Sequence, residues 1–238
     1  MEVKTREDGW KLLTEFVQAE SLRRHCLAVE AAMRAYARRF GESEDDWGLL
    51  GLVHDFDYEI HPTADLHPEA GVPILVERGY PDWLIRGIRS HAEYLNVPRE
   101  STMERALYAV DELTGFIAAV ALVRPSKRVS DVTASSVRKK MKDKAFARPV
   151  HRETLISSAA ELGVDFDEHV SFVIEALAAS AGPLGLDGSS SATQLGDDPA
   201  CRGCRHGIRW LRRRPGDLAN RDRRDRRRRS RFPCNDRC

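Results

Sequence analysis

Thiols are almost missing from most of this chain. Of five cysteines in 238 residues, only Cys26 precedes residue 201. That excludes a disulfide framework for the body and points to a reduced, cytosolic setting. Also missing is any apolar run approaching the roughly 18 residues of a membrane span, and the opening residues Met1 to Asp8 have no signal-peptide core. A cytoplasmic protein with no membrane partner is expected. Strand-type alternation is nearly absent, as are internal repeats, which disfavours a β fold. From Cys201 to Cys238 there is neither lysine nor glutamate. There 15 arginines stand against 4 aspartates, a net of +11, so residues 1–200 carry −10 although the whole chain sums to +1.

Helical periodicity fills the body instead. Trp10, Leu13, Phe16 and Val17 recur at helical spacing, with Thr5 and Asp8 placed for a capping box. Ser21 is expected to cap a second helix that points Leu22, His25, Cys26, Val29, Met33 and Tyr36 one way and stops at Gly41. Asp45 or Asp46 is expected to cap a third, apolar nearly all round through Val53 and therefore central in a bundle. Further helices are expected at about 68–77, 81–94, 102–123, 134–144, 152–162 and 167–181. The prediction is an all-α domain over residues 1–187.

Gly182 to Ser191 then reads as the end of the fold and the start of a linker, and residues 188–238 as linker plus a disordered basic tail. Cys201, Cys204, Cys234 and Cys238 invite a zinc reading, but the second pair has an unusual spacing and little apolar sequence lies between. The arginine run would bind nucleic acid nonspecifically, and this tail is the one place where a nucleic-acid partner is expected. Its abrupt change of composition equally resembles translation of a GC-rich region in the wrong frame. Truncation near Ser190 is expected to leave fold and activity intact.

The chemistry-bearing pattern is the pair His54-Asp55, at the end of the apolar third helix, in company with His25, His67, His91 and Asp111. Imidazoles and carboxylates from separate helices can hold one or two divalent cations, and this thiolate-free donor set suits Mn, Fe, Co, Mg or Zn. Taken singly, His25 also reads as a core histidine, His67 as a helix-start residue and His91 as a surface one. Asp111 lies among Leu107, Val110 and Leu113, where an unpaired carboxylate is expensive. His61 is the weakest candidate and is not expected to be a ligand.

In that order His25, His54-Asp55 and Asp111 resemble the signature of the HD-domain metal-dependent phosphohydrolase superfamily, with His67 and His91 similar to the extra histidines of its two-metal HDIG branch. The blocks Leu52 to Glu59, His67 to Gly71, Ile88 to His91 and Tyr108 to Gly115 resemble those of small stand-alone bacterial members. The resemblance covers about residues 20–180 and implies a helical bundle. Phe56-Asp57 departs from the Ile-Gly of the HDIG name. Gly79-Tyr-Pro81 is not read as the HD-GYP hallmark, because the paired histidines expected before it are missing.

The resemblance implies one metal on His25, His54, Asp55 and Asp111 and a second on His67 and His91, with Asp55 bridging. Hydrolysis of a phosphomonoester or phosphodiester of a small molecule, a nucleotide by expectation, follows. Glu59 and Lys140 are expected as catalytic groups, with Asp57 and Glu93 as alternatives to Glu59 for proton transfer or for supporting the imidazoles. Lys127, Lys139 and Lys144 are expected to bind substrate, against a competing reading as a solvated face. Two other functions compete: a di-iron oxygenase on the same fold, and a nonenzymatic module that senses a nucleotide or binds RNA.

Overall fold

The computed structural model describes residues 3–189. Among them are ten α-helices, three 3-10 turns and no strand, apart from one isolated antiparallel bridge between Arg128 and Asp187. The architecture is all-α, as the periodicity predicts. The zinc, nucleic-acid and disorder expectations for the tail fall outside the described residues. Among the described residues, no helix is long and apolar enough to cross a membrane.

Helix α1 (Arg6–Phe16) starts at the expected Thr5–Asp8 capping box. Helix α2 (Glu20–Phe40) stops at Gly41, which takes the left-handed conformation (φ 71°) that glycine adopts without strain. Its start differs from expectation. Ser21 lies inside the first turn, and Ala19, the capping residue, has no side chain to accept a bond. The acceptor comes from far along the chain: Glu59 Oε2 takes the amides of Gln18 and Ala19 at 2.8 and 2.9 Å. Helix α3 (Glu44–Val53) is capped by Ser43 rather than Asp45 or Asp46, its hydroxyl accepting from the Asp46 amide. The acidic residues 44–46 thereby occupy the first turn, where the helix dipole favours them.

Every residue of α3 from Trp47 to Val53 is buried. It packs on α1 and α2 and touches α5 (Asp82–His91). The approach to α2 is close because Gly51 faces the Glu30 backbone; a Cβ there would sit 3.1 Å from Glu30 N and Cα. Glu30 itself is buried and held by Arg6 at 2.6 Å and Arg34 at 3.1 Å.

The helix expected from Pro68 is split into a 3-10 turn, Glu69–Gly71, and α4 (Val72–Glu77). Helices α6 (Thr102–Leu122), α7 (Ala134–Met141) and α8 (Arg152–Leu162) follow the expected spans closely. The last expected helix breaks at Ser180 into α9 (Phe166–Ala179) and α10 (Ala181–Leu184). One cluster of buried apolar residues runs from Leu12 to Leu186, with the two longest helices, α2 and α6, packed against each other at its centre.

A polar link crosses this core. His169 of α9 is fully buried, its Nδ1 2.5 Å from the Tyr36 hydroxyl of α2 and its Nε2 3.2 Å from the Ala109 carbonyl of α6. Those partners assign Nε2–H as donor and Nδ1 as acceptor from the tyrosine. Burial pushes the His169 pKa down from 6.5 to about 4, so the ring is neutral.

Candidate metal centre

Helix α3 ends where the core is deepest, so its last apolar turn delivers His54 and Asp55 into the interior rather than to the surface. Both are buried, as are His25, His67, His91 and Asp111. His25 comes from the inward face of α2, Asp111 from the middle of α6, His91 from the last turn of α5 and His67 from the turn before α4. All six expected ligands are thus gathered in one place.

They form two groups sharing one carboxylate. In the first, His25 Nε2 lies 3.1 Å from Asp111 Oδ1 and 3.9 Å from Asp55 Oδ2. His54 Nε2 lies 3.4 Å from Asp111 Oδ1 and 3.6 Å from Asp55 Oδ2. In the second, Asp55 Oδ1 lies 3.2 Å from His67 Nε2 and 3.3 Å from His91 Nε2. One oxygen of Asp55 therefore turns to each group.

Three of the imidazoles are oriented from behind. Nδ1 of His54 meets the Gly51 carbonyl at 2.8 Å, Nδ1 of His91 meets the Ile88 carbonyl, and Nδ1 of His67 meets Asp57 Oδ1 at 2.8 Å. With Nδ1–H as the donor, Nε2 presents a lone pair to the carboxylates. The separations of His54 Nε2 are long for a hydrogen bond, yet they bring lone pairs face to face in a dry interior. Two donors each about 2.1 Å from a shared ion lie roughly 3.0–3.4 Å apart at ordinary coordination angles. The donor set, spacing and burial therefore fit divalent cations, and hard and borderline ions fit better than thiophilic ones.

The electrostatics point the same way. Burial alone would lower the His54 pKa, but the carboxylates of Asp55 and Asp111 outweigh it and hold it above 6.5. Burial, with those same two charges, pushes the neighbouring Cys26 thiol well above its ordinary value, so it stays protonated and is not a ligand. A field that opposes a thiolate and favours imidazolium also favours a cation. The C-terminal end of α3, the negative end of its dipole, adds to it.

Other expected residues are placed elsewhere. Glu59 is exposed, and its Oε2 accepts from the Gln18 and Ala19 amides ahead of α2, which makes it a cap of that helix. Lys140 lies over the Phe146 ring at 4.9 Å. Lys127, in a left-handed conformation (φ 51°), is exposed in the turn after α6, and Lys139 and Lys144 are exposed on and after α7. His61 is half-buried and belongs to neither ligand group.

Asp57, one of the alternatives to Glu59, is fully buried behind His67. It occupies a space open only because residue 71 is glycine: a Cβ on Gly71 would stand 2.8 Å from Asp57 Cγ. The sequence reading missed Tyr94, whose hydroxyl donates to the His67 carbonyl at 2.6 Å, and His169. Neither carries a spacing signal, since both contacts arise from packing.

Residues 22–116 match the family model described as HD domain, a span that contains all six gathered residues. No curated protein and no solved structure matches the chain. A matching family model over buried, cation-compatible histidines and aspartates in an all-α bundle identifies residues 22–116 of this chain as an HD domain.

Proposed function

We propose that this protein is a metal-dependent phosphohydrolase that cleaves a phosphomonoester or phosphodiester of a small phosphorylated molecule in the cytoplasm. One observation carries the reading: Asp55 turns one oxygen to His25 and His54 and the other to His67 and His91. That is the arrangement suited to two cations at a fixed separation, as in the HDIG branch. The identity of the ions follows from the donors only as far as Mn, Fe, Co, Mg or Zn.

Bound divalent ions would supply Lewis acidity, acidifying a water and neutralising charge on the phosphoryl oxygens. The chain's own part is to position them. Asp55 fixes the spacing of the two groups. Asp57 orients His67, and the backbone carbonyls of Gly51 and Ile88 orient His54 and His91. In the reaction, water adds to phosphorus, the ester P–O bond breaks, and the alcohol leaves carrying a proton from that water. The chemistry then rests on the six gathered residues and Asp57, without Glu59 or the four lysines. The nucleotide expected as substrate rests on the resemblance alone.

The test is phosphate release from a panel of phosphate esters with Mn, Mg, Co or Fe, comparing the native protein with Asp55→Ala. The variant is expected to lose several kcal/mol of transition-state stabilisation, on the order of a thousandfold in rate. Iron-dependent oxygen uptake without phosphate release would overturn the reading in favour of the di-iron oxygenase.

A further inference from the structure

A narrow cleft of about 120 Å³ lies between α2, α6 and α10. It adjoins the ligand cluster. His25 is part of its lining, and along α6 Asp111 is followed at helical spacing by Gly115, Ala118 and Leu122, which line it. Asp111 meets His25 at 3.1 Å, and His25 is the gathered residue that also lines the cleft. From Asp111 to Leu122 the α6 stripe extends about 16 Å.

The chemistry of the walls is narrow. Ala28, Ala118, Leu122, Leu184 and Leu186 supply aliphatic surface, and no phenylalanine, tyrosine or tryptophan takes part. Among the polar residues, the Thr114 hydroxyl already donates to the Asp111 carbonyl at 2.9 Å, and Arg24 is paired with Glu20. Leu122 is 45% exposed, an apolar residue facing solvent beside an apolar cleft. A nucleobase would find no phenyl or indole ring to stack on and, beyond Ser21, Arg24 and His25, few partners for its donors and acceptors; each one left unpaired weakens binding roughly tenfold. A hydrocarbon has no such groups, and each methylene removed from water favours binding about fourfold, the equivalent of roughly 0.8 kcal/mol.

We propose that this cleft holds an aliphatic chain, so that the substrate is the phosphate ester of an aliphatic alcohol, with its phosphate at the His/Asp cluster and its hydrocarbon between α2, α6 and α10. The inference rests on the phosphohydrolase reading for its phosphate end. It replaces the expected nucleotide with the class these walls serve better. Hydrolysis releases inorganic phosphate and the alkanol.

The experiment is calorimetric titration of the full chain, loaded with manganese, with methyl-, butyl- and octylphosphonate and with adenosine monophosphate. Hydrolysis of butyl phosphate, octyl phosphate and the nucleotide is followed in parallel. Affinity is expected to rise severalfold for each of the first added methylenes, with octylphosphonate bound more tightly than the nucleotide. Ala118→Leu, which fills the cleft, is expected to bind methyl- and octylphosphonate alike, with metal content verified. Leu122→Ser, at an exposed position where folding is tolerant, is expected to weaken the octyl ligand selectively. Affinity independent of chain length, or tighter binding of the nucleotide, overturns the proposal, as does a chain-length dependence unchanged in both variants. Chain-dependent phosphonate binding without hydrolysis of any ester would uphold the cleft and sink the phosphohydrolase reading. Hydrolysis without chain dependence would do the reverse.

Discussion

At position 57 a carboxylate stands where the HDIG name implies glycine, and the glycine that makes room for it is at position 71. His67 thereby has a carboxylate partner at 2.8 Å, whereas His54 and His91 are backed by backbone carbonyls. A carboxylate behind an imidazole raises its basicity as a ligand, and losing such a partner commonly costs 10–100-fold in metal affinity. Asp57→Asn is therefore expected to weaken the His67/His91 ion by roughly that factor while the ion on His25 and Asp111 is retained, as read by metal competition titration. Equal weakening of both ions would contradict it. Glu59 makes the opposite case. Adjacency in sequence made it a candidate acid, but its Oε2 serves the Gln18 and Ala19 amides. Glu59→Ala is expected to lower stability by about 1 kcal/mol, the usual cost of a lost cap, seen as a lower denaturant midpoint. A rate loss of several hundredfold at unchanged stability would restore the catalytic role.

Among the elements, helix existence was legible and helix starts were not. The α3 run from Trp47 to Val53 has no polar face, so it had to be central, and its burial carries His54 and Asp55 inward. Ser21 looked like the cap of α2 because capping preferences are local. The real acceptor is forty residues away, which no window of sequence contains. The joint between α2, α6 and α9 was equally invisible, since Tyr36, Ala109 and His169 meet only through packing. That joint makes stability pH-dependent. The folded His169 pKa of about 4 lies below the ordinary 6.5. Above 6.5 neither state binds the proton and the contribution is complete. Between 6.5 and 4 the unfolded chain takes up a proton that the folded one refuses, and roughly 3 kcal/mol is lost. Denaturant midpoints measured from pH 7 to 4.5 should therefore fall less steeply in His169→Gln than in the native protein; parallel curves would refute the assignment.

For the whole molecule, six buried groups from α2, α3, α5, α6 and the turn before α4 tie its centre together, so cation binding should couple to global stability. An ion present at a hundredfold over its dissociation constant adds about 2.7 kcal/mol, which for a chain of this size raises the melting temperature by roughly 5–10 °C. Thermal unfolding with manganese and with chelator measures it; identical curves would argue against a metal centre. The all-α class, the central place of α3 and the six residues that gather in the candidate site were all determined by the order of residues along the chain. Helical periodicity and the burial of apolar faces are repetitive, local signals, and a ligand pattern is a list of residue types. Tertiary structure alone decided which oxygen of Asp55 turns to which histidines, that Asp57 supports His67 while Glu59 caps α2, and that an aliphatic cleft opens beside His25. Each of these depends on distances between groups far apart in sequence, and such distances exist only once the helices have packed.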